Sequence, residues 1–424
     1  MKLPTSPRAR KLVALVTALV VCVLLNTRAL NLAFIDDTFE DYVIPYMNNF
    51  AGKVPFDPKV KIILIKKDQH DGTAPWGEIN TKHRDFFTKL IKHMTAAKAK
   101  VLAFDITFDK KSTDDAKFGE AIETARSAGL PVIVGADNYI NGKIVPPIPE
   151  EFKEPKWGMI TIGAHQGGEK EDQPIRALKL ADIDAENVDA QIPSLPLRIV
   201  MESQSWVPEL QPEWNRLLLY SDQQKLQLVR TVPLDRGKYL FLQQASPSDL
   251  NAATVEAQRV QDDFENASTY WKYQDAIVLV GYEMGDQKTV QAGVKRLGVE
   301  LHATAVSNIL REVFIHKLYL IFSYLIIVTM AFLALLMDTP LGQRLKYSVA
   351  FEVRGTNISI PIPIGLLIMG SIYLVIAMSV FKIWRIYLDV PYHLAALALS
   401  YLLLWLFFTA LAPKPQQEGS LTTL

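Results

Sequence analysis

The sequence predicts an α/β domain with a mostly parallel sheet flanked by helices, inserted between one N-terminal and three C-terminal transmembrane helices. Three observations predict it. Nearly all the charge of the 424 residues lies between about residue 35 and residue 315, and the long apolar runs lie outside that interval. Inside it, strand-like and helix-like patterns alternate from Pro58 to Gly135. Outside it, four runs approach the roughly 20 apolar residues that a helix needs to cross a bilayer.

The first apolar run, KLVALVTALVVCVLLNTRALNLAFID, follows a basic PRARK. Its uncharged core, Leu12 to Thr27, also suits a signal peptide. Extension past a snorkelling Arg28 to Ile35, without a small-residue cleavage site close behind, favours an uncleaved anchor at 12–35 after a cytoplasmic stretch at 1–11. Further spans are expected at 318–337, 361–381 and 393–412, the last followed by a cytoplasmic tail at 413–424. Lys2, Arg8, Arg10 and Lys11 place the N-terminus inside by the positive-inside rule. Arg344, Lys346 and Arg354 in the 338–360 loop agree, and Lys382 and Arg385 disagree. The domain at 36–315 is therefore expected outside the cytoplasm, at an inner (plasma) membrane. The one cysteine, Cys22, lies in the first run, so no intrachain disulfide supports that domain. Its length is enough for a core of its own. The net charge of zero leaves no electrostatic footprint for nucleic acid.

Within the domain, VKIILIKKD reads as a strand, and NTKHRDFFTKLIKHMTAAKA as a helix with Phe86, Leu90 and Met94 on one stripe. VLAFDITF is the next strand. DDAKFGEAIETARSAG is a helix with an acidic start and a glycine at its end, and PVIVGADN is a third strand. From about Asn138 to Asp275 the pattern weakens. IVPPIPEEFKEPKW is a proline-rich connection, SLPLRIVMESQSWVPELQPEWNRLL contains a helix, and SDLNAATVEAQRVQDDFENAS reads as one polar surface helix. Trp206 and Trp214 suit core or partner contacts better than a pocket lining. DAIVLVGYEMGD is a fourth strand, before the helix that begins GVELHATAVSNIL.

All four strands end close to an acidic residue, Asp68, Asp105, Asp137 and Asp286. In an open parallel sheet, ligands bind in the crevice beyond the carboxyl ends of the strands. Several of these carboxylates then face one cleft, unless each merely serves a turn or a helix cap. On the helix from Gly298, Leu301, Ala305, Val306, Ile309 and Val313 share one face, and Glu300, Thr304, Ser307 and Arg311 lie opposite. His302 falls on the inward face, either as a bonded core histidine or as a ligand or switch residue with Asp286 and Asp105 as its expected partners. A metal site built from them has no support from spacing, and His83 and His93 are out of alignment on their helix. Phosphate-cradling glycine loops, HExxH and nucleophile elbows are missing, so no cofactor is expected. General acid–base chemistry at His302 lacks a companion nucleophile, so catalysis is not expected either.

The strand ending in Asp68, APWGE with Trp76, FDITF and DDAKFGEAI, followed by EDQPIRALKL with Asp172 and Arg176, IVLVG and GVELHATAVSNIL, resemble the CHASE type-2 domain. This is the cyclase/histidine-kinase-associated sensory extracellular family, and the resemblance covers roughly residues 35–412. It implies one span before the domain and three after it, a ligand (a small molecule or ion) taken up outside the cytoplasm, and a homodimer. Asp68, Trp76, Asp105, Asp286 and His302 are its candidate ligand-binding residues. Gly298, Glu300, His302 and Arg311 mark the helix expected to carry a displacement into the next span with little slack. Two motifs depart from the family. WGEINTKH replaces a further proline, tryptophan and arginine after Trp76, and QKTVQAG replaces a threonine–proline pair after Asp286. Where family members continue into a cytoplasmic kinase or cyclase, this sequence ends in APKPQQEGSLTTL, so a separate output protein is expected.

Between the second and third spans, KYSVAFEVRGTNISIPI alternates polar and apolar residues about a turn near Gly355 and reads as a β-hairpin. It either recruits a partner by strand addition or folds against the bundle or the lipid headgroups. The sequence thus favours an inner-membrane sensor subunit. An envelope scaffold holding a partner protein is the alternative, and an enzyme comes third.

Overall fold

The computed structural model describes residues 54–66, 84–108, 111–136, 156–160, 177–183, 191–235, 238–264, 266–283, 287–291, 294–336, 346–353 and 356–410, with shorter pieces at 15–17, 19–21, 23–25, 47, 52, 139–140, 143–144 and 152. The chain divides into two compact units, one of Glu40–His316 and the other of Met1–Phe39 with Lys317–Leu424.

The first unit is built on β1 (Val60–Ile65), α1 (Arg84–Ala96), β2 (Val101–Thr107), α2 (Asp115–Ser127), β3 (Val132–Ala136), β4 (Lys156–Met159), α3 (Leu195–Gln204), β5 (Thr254–Glu256), α4 (Ala257–Asp262), β6 (Ile277–Tyr282) and α5 (Gly298–Arg311). Six strands form one sheet in the order β5-β1-β6-β2-β3-β4, and all five pairings are parallel. VKIILI, VLAFDIT, VIVGA and IVLVGY are nearly continuous apolar runs because both faces of such a sheet are covered. In β2, Val101 and Ala103 enter the core shared with α3 and α5, while Leu102, Phe104 and Ile106 enter the core shared with α1 and α2. The last strand, β6, is inserted between β1 and β2, which the chain order alone does not reveal.

Local signals set the helix ends. The Ser194 hydroxyl accepts from the Leu197 amide at the start of α3, and Ser205 ends that helix in the left-handed conformation. Gly129, at φ +84°, follows α2 where the sequence pattern places a helix stop. On α1 the core residue is Phe87 beside Leu90, Ile91 and Met94, and Phe86 packs only at the margin.

The stretch read as one polar helix is broken. Pro247–Ala253 is helical, then Thr254–Glu256 pairs with the edge of β1 before the chain turns helical again in α4. The open edge of β1 supplies backbone partners that override helix propensity over three residues. β4 is the other strand that the alternation pattern did not reveal. An antiparallel sheet of Val207–Gln211, Arg216–Tyr220 and Leu228–Pro233 completes the larger features of this unit. Trp206 packs partly buried beside its core, whereas Trp214 is exposed.

The second unit contains α6 (Leu320–Leu336), α7 (Ile364–Trp384) and α8 (Val390–Ala410). Among the described residues α7 is the one helix long and apolar enough to cross a membrane, and Leu15–Leu25, Ile321–Ala334 and Val390–Leu406 are shorter apolar helices. α7 starts at Ile364 rather than at 361, because Thr356–Pro363 is a strand. That strand pairs antiparallel with Lys346–Val353, from Lys346 opposite Pro363 to Val353 opposite Thr356.

Candidate functional site

Because all six strands are parallel, their carboxyl ends lie along one edge of the sheet. Asp105 lies two residues before the end of β2 and follows Val101 and Ala103 in the alternation, so it belongs to the face covered by α3 and α5. Its Oδ1 lies 3.4 Å from Nε2 of His302 on α5. The His302 side chain is 0% exposed and that of Asp105 5%. The same Nε2 lies 3.2 Å from the carbonyl oxygen of Ile160, just beyond β4. The imidazole therefore joins the end of β2, the end of β4 and the second turn of α5.

Two glycines make this approach feasible. A Cβ on Gly281 of β6 would stand 2.6 Å from Cβ of Val299, so α5 reaches the sheet only over a bare backbone. A Cβ on Gly135 of β3 would stand 2.7 Å from Cγ2 of Ile160, the residue whose carbonyl meets His302. Backbone acceptors such as Ile160 leave no signal in the sequence. Gly281 was visible in IVLVGY, without any indication of what approaches it.

The helix carrying His302 is more deeply buried than its pattern implied. Thr304 and Ser307, expected on the water face, are both buried. Thr304 donates back to the Glu300 carbonyl, Ser307 accepts from the Asp57 amide at 2.8 Å, and Asn308 donates to the Gln243 carbonyl at 3.2 Å. Segments before β1 and after Phe241 cover that face, so its polar residues serve hydrogen bonds rather than water. Of the helix residues singled out, Gly298 is buried at the start, Glu300 accepts from the Leu297 amide at 3.1 Å, and Arg311 is exposed at the end.

The helix also stops sooner than expected. Glu312 adopts the left-handed conformation, and the next helix begins only at Leu320. Arg230 closes this end by donating to the Ile309 carbonyl, pairing with Glu312 at 3.2 Å and stacking over Trp206. Val313, expected on the inward face of this helix, therefore lies beyond its capped end, in the non-helical chain that leads to Leu320. Asp68, Trp76, Asp137, Asp172, Arg176, His83 and Asp286 lie outside the described residues.

A buried ion pair lies on the opposite face of the sheet. Nε of Arg84, at the start of α1, meets Oδ1 of Asp115, at the start of α2, at 2.7 Å, and neither is exposed. The Arg84 guanidinium stands 4.4 Å from the centre of the Phe108 ring, with Phe118 and Phe152 further out. Asp115 also accepts from the Ser112 amide at 2.7 Å. Burial pushes the nearby Tyr282 phenol well above its ordinary value, partly offset by Arg84.

Fold and geometry together define a parallel α/β domain, covered on both faces, with a buried histidine–aspartate pair towards the carboxyl end of its sheet and apolar helices in the same chain. The CHASE2 domain family model matches residues 14–337, and the chain belongs to this family of sensory extracellular domains. No curated protein and no solved structure matches it.

Proposed function

We propose that this chain is a bacterial inner-membrane sensor. Its α/β domain lies outside the cytoplasm, binds a small polar molecule or ion at the carboxyl ends of the strands, and signals through apolar helices to a separate partner protein. The family membership supports the sensory role. The observation that carries the binding site is the His302–Asp105 pair. A carboxylate and an imidazole buried together hold a proton balance that a ligand's charge or hydrogen bonds would alter, at a cost of kcal/mol when water is excluded. In this reading the domain is non-catalytic, four helices cross the membrane, and both termini are cytoplasmic.

The test is thermal melting of the full-length protein in nanodiscs against metal ions, nucleotides and small metabolites, beside His302→Gln and Asp105→Asn. A true ligand at 100 times its dissociation constant adds about 2.7 kcal/mol. That gain should disappear in both variants while they remain folded. A folded protein that responds to nothing in the panel turns the reading to a scaffold that holds a partner protein. A response retained in both variants places the site elsewhere.

A further inference from the structure

Three apolar helices of the second unit each contribute a polar side chain to one buried cluster. Ser323 comes from α6, Tyr373 from α7 and His393 from α8, and all three are buried. The Ser323 hydroxyl lies 2.9 Å from Nε2 of His393, and the Tyr373 hydroxyl is hydrogen-bonded to Nδ1. The same Ser323 hydroxyl lies 3.3 Å from Oδ2 of Asp389, in the turn before α8. The other Asp389 oxygen lies 3.6 Å from the Lys317 ammonium. Around them the core is largely apolar, with Val21, Leu25, Ile327, Ala331, Ala377 and Ala396. Apolar packing alone asks for none of these polar groups, and each is costly there unless bonded. An ionisable side chain inside an apolar bundle is by default a functional position.

The hydrogens decide what the cluster can do. One serine proton faces two acceptors, Nε2 of His393 and Oδ2 of Asp389. In a neutral imidazole one nitrogen donates and the other accepts. With that proton on Nδ1, the ring donates to the Tyr373 oxygen, and Ser323 donates to Nε2. Adding one proton at Nε2 makes both nitrogens donors. Nε2–H then donates to the Ser323 oxygen, and Ser323 turns its own proton to Asp389. The heavy atoms keep their places, so uptake needs a hydroxyl rotation rather than repacking. The positive imidazolium then faces the Asp389 carboxylate across a single hydroxyl.

We propose that Ser323, His393 and Tyr373 form a proton-binding site within the apolar bundle, with Asp389 as counter-charge and the Ser323 hydroxyl as the reversing element. The proton arrives from the side on which Lys317 and Asp389 lie, and its uptake sets how α6, α7 and α8 are bonded to one another. The groups facing His393 are Ser323 from α6, Tyr373 from α7 and Asp389 from the turn, with Lys317 behind Asp389. The described residues of the helix at 15–25 add no titratable group. The site stands on contacts within one unit and does not depend on the reading of His302.

The test is a titration of the full-length protein, 15N-labelled in its histidine rings, in phosphatidylcholine–phosphatidylglycerol nanodiscs from about pH 4 to pH 8, a range around the ordinary imidazole value. Loss of a signal in His393→Gln assigns the ring, and the signal perturbed in Tyr373→Phe assigns it if the first variant fails to insert. His393 should pass reversibly from the neutral to the doubly protonated pattern. Its proton affinity should be about tenfold weaker in Asp389→Asn, which removes an opposite charge across one hydroxyl, and weaker also in Ser323→Ala. A ring that stays neutral throughout, or that titrates identically in both variants, overturns the proposal.

Discussion

Gly281 and Val299 are so close that a Cβ on the glycine would lie 2.6 Å from Cβ of the valine. No such separation occurs between side chains, so the contact holds only while residue 281 is bare. Gly281→Ala should therefore push the start of α5 off the sheet. Overpacking of this kind costs about 1–3 kcal/mol. Thermal melting should show that loss, and Gly281→Val should lose more. A melt unchanged in both variants would mean that α5 retreats freely and that its seat on the sheet is not fixed.

The proposed topology makes a labelling prediction. With Cys22→Ser removing the one native cysteine, a cysteine at the exposed Gln224 should react in intact cells with a membrane-impermeant maleimide. A cysteine at Ser420 should react only after the membrane is opened. Reaction of Ser420→Cys in intact cells would place that end outside and reject three spans after the domain.

His93 predicts how stability varies with pH. Burial against Phe264, Tyr270 and Tyr273 holds its imidazole below the ordinary value of 6.5, with Asp263 offsetting part of the effect. The unfolded chain therefore takes up this proton first as pH falls. Its contribution is fully present above about pH 6.5 and declines below it, until the folded ring protonates as well. His93→Leu should flatten the fall in melting temperature between about pH 7.5 and pH 5, the interval in which histidine changes charge. An equal fall in both proteins would assign the acid sensitivity to other groups.

How far the sequence reached depends on what each feature leaves behind in it. Strands such as VKIILI and IVLVGY are apolar runs bounded by polar residues, and parallel pairing follows from their alternation with helices. The paired strands at Lys346–Val353 and Thr356–Pro363 were legible in the same way, from alternation about a short turn. The expectation that Asp105 partners His302 rested on strand ends and helical phase, and the two lie 3.4 Å apart. What escaped were relations between distant segments. The insertion of β6 between β1 and β2, the cover over Thr304 and Ser307, and the arrival of the Ile160 carbonyl are set by tertiary contacts, which neither periodicity nor composition records.

The Arg84–Asp115 pair allows the worth of a buried charge to be separated from its consequences. Both side chains are shielded from water, at 0% and 3% exposure, and the Arg84 guanidinium stands against the rings of Phe108, Phe118 and Phe152. Removing one partner leaves the other buried charge without its opposite charge in this pair, so Arg84→Met and Asp115→Leu should each destabilise by about 3–5 kcal/mol. Replacing both removes the desolvation penalty together with the attraction, and buried pairs exchanged for apolar residues are often neutral. The double variant should therefore recover most of what either single one loses, read by denaturant unfolding as a double-mutant cycle. Losses that simply add would show that each residue acts through its own packing, with Arg84 held by the rings rather than by Asp115. Recovery would show that the sequence keeps the pair for the way it ties the start of α1 to the start of α2, and not for stability.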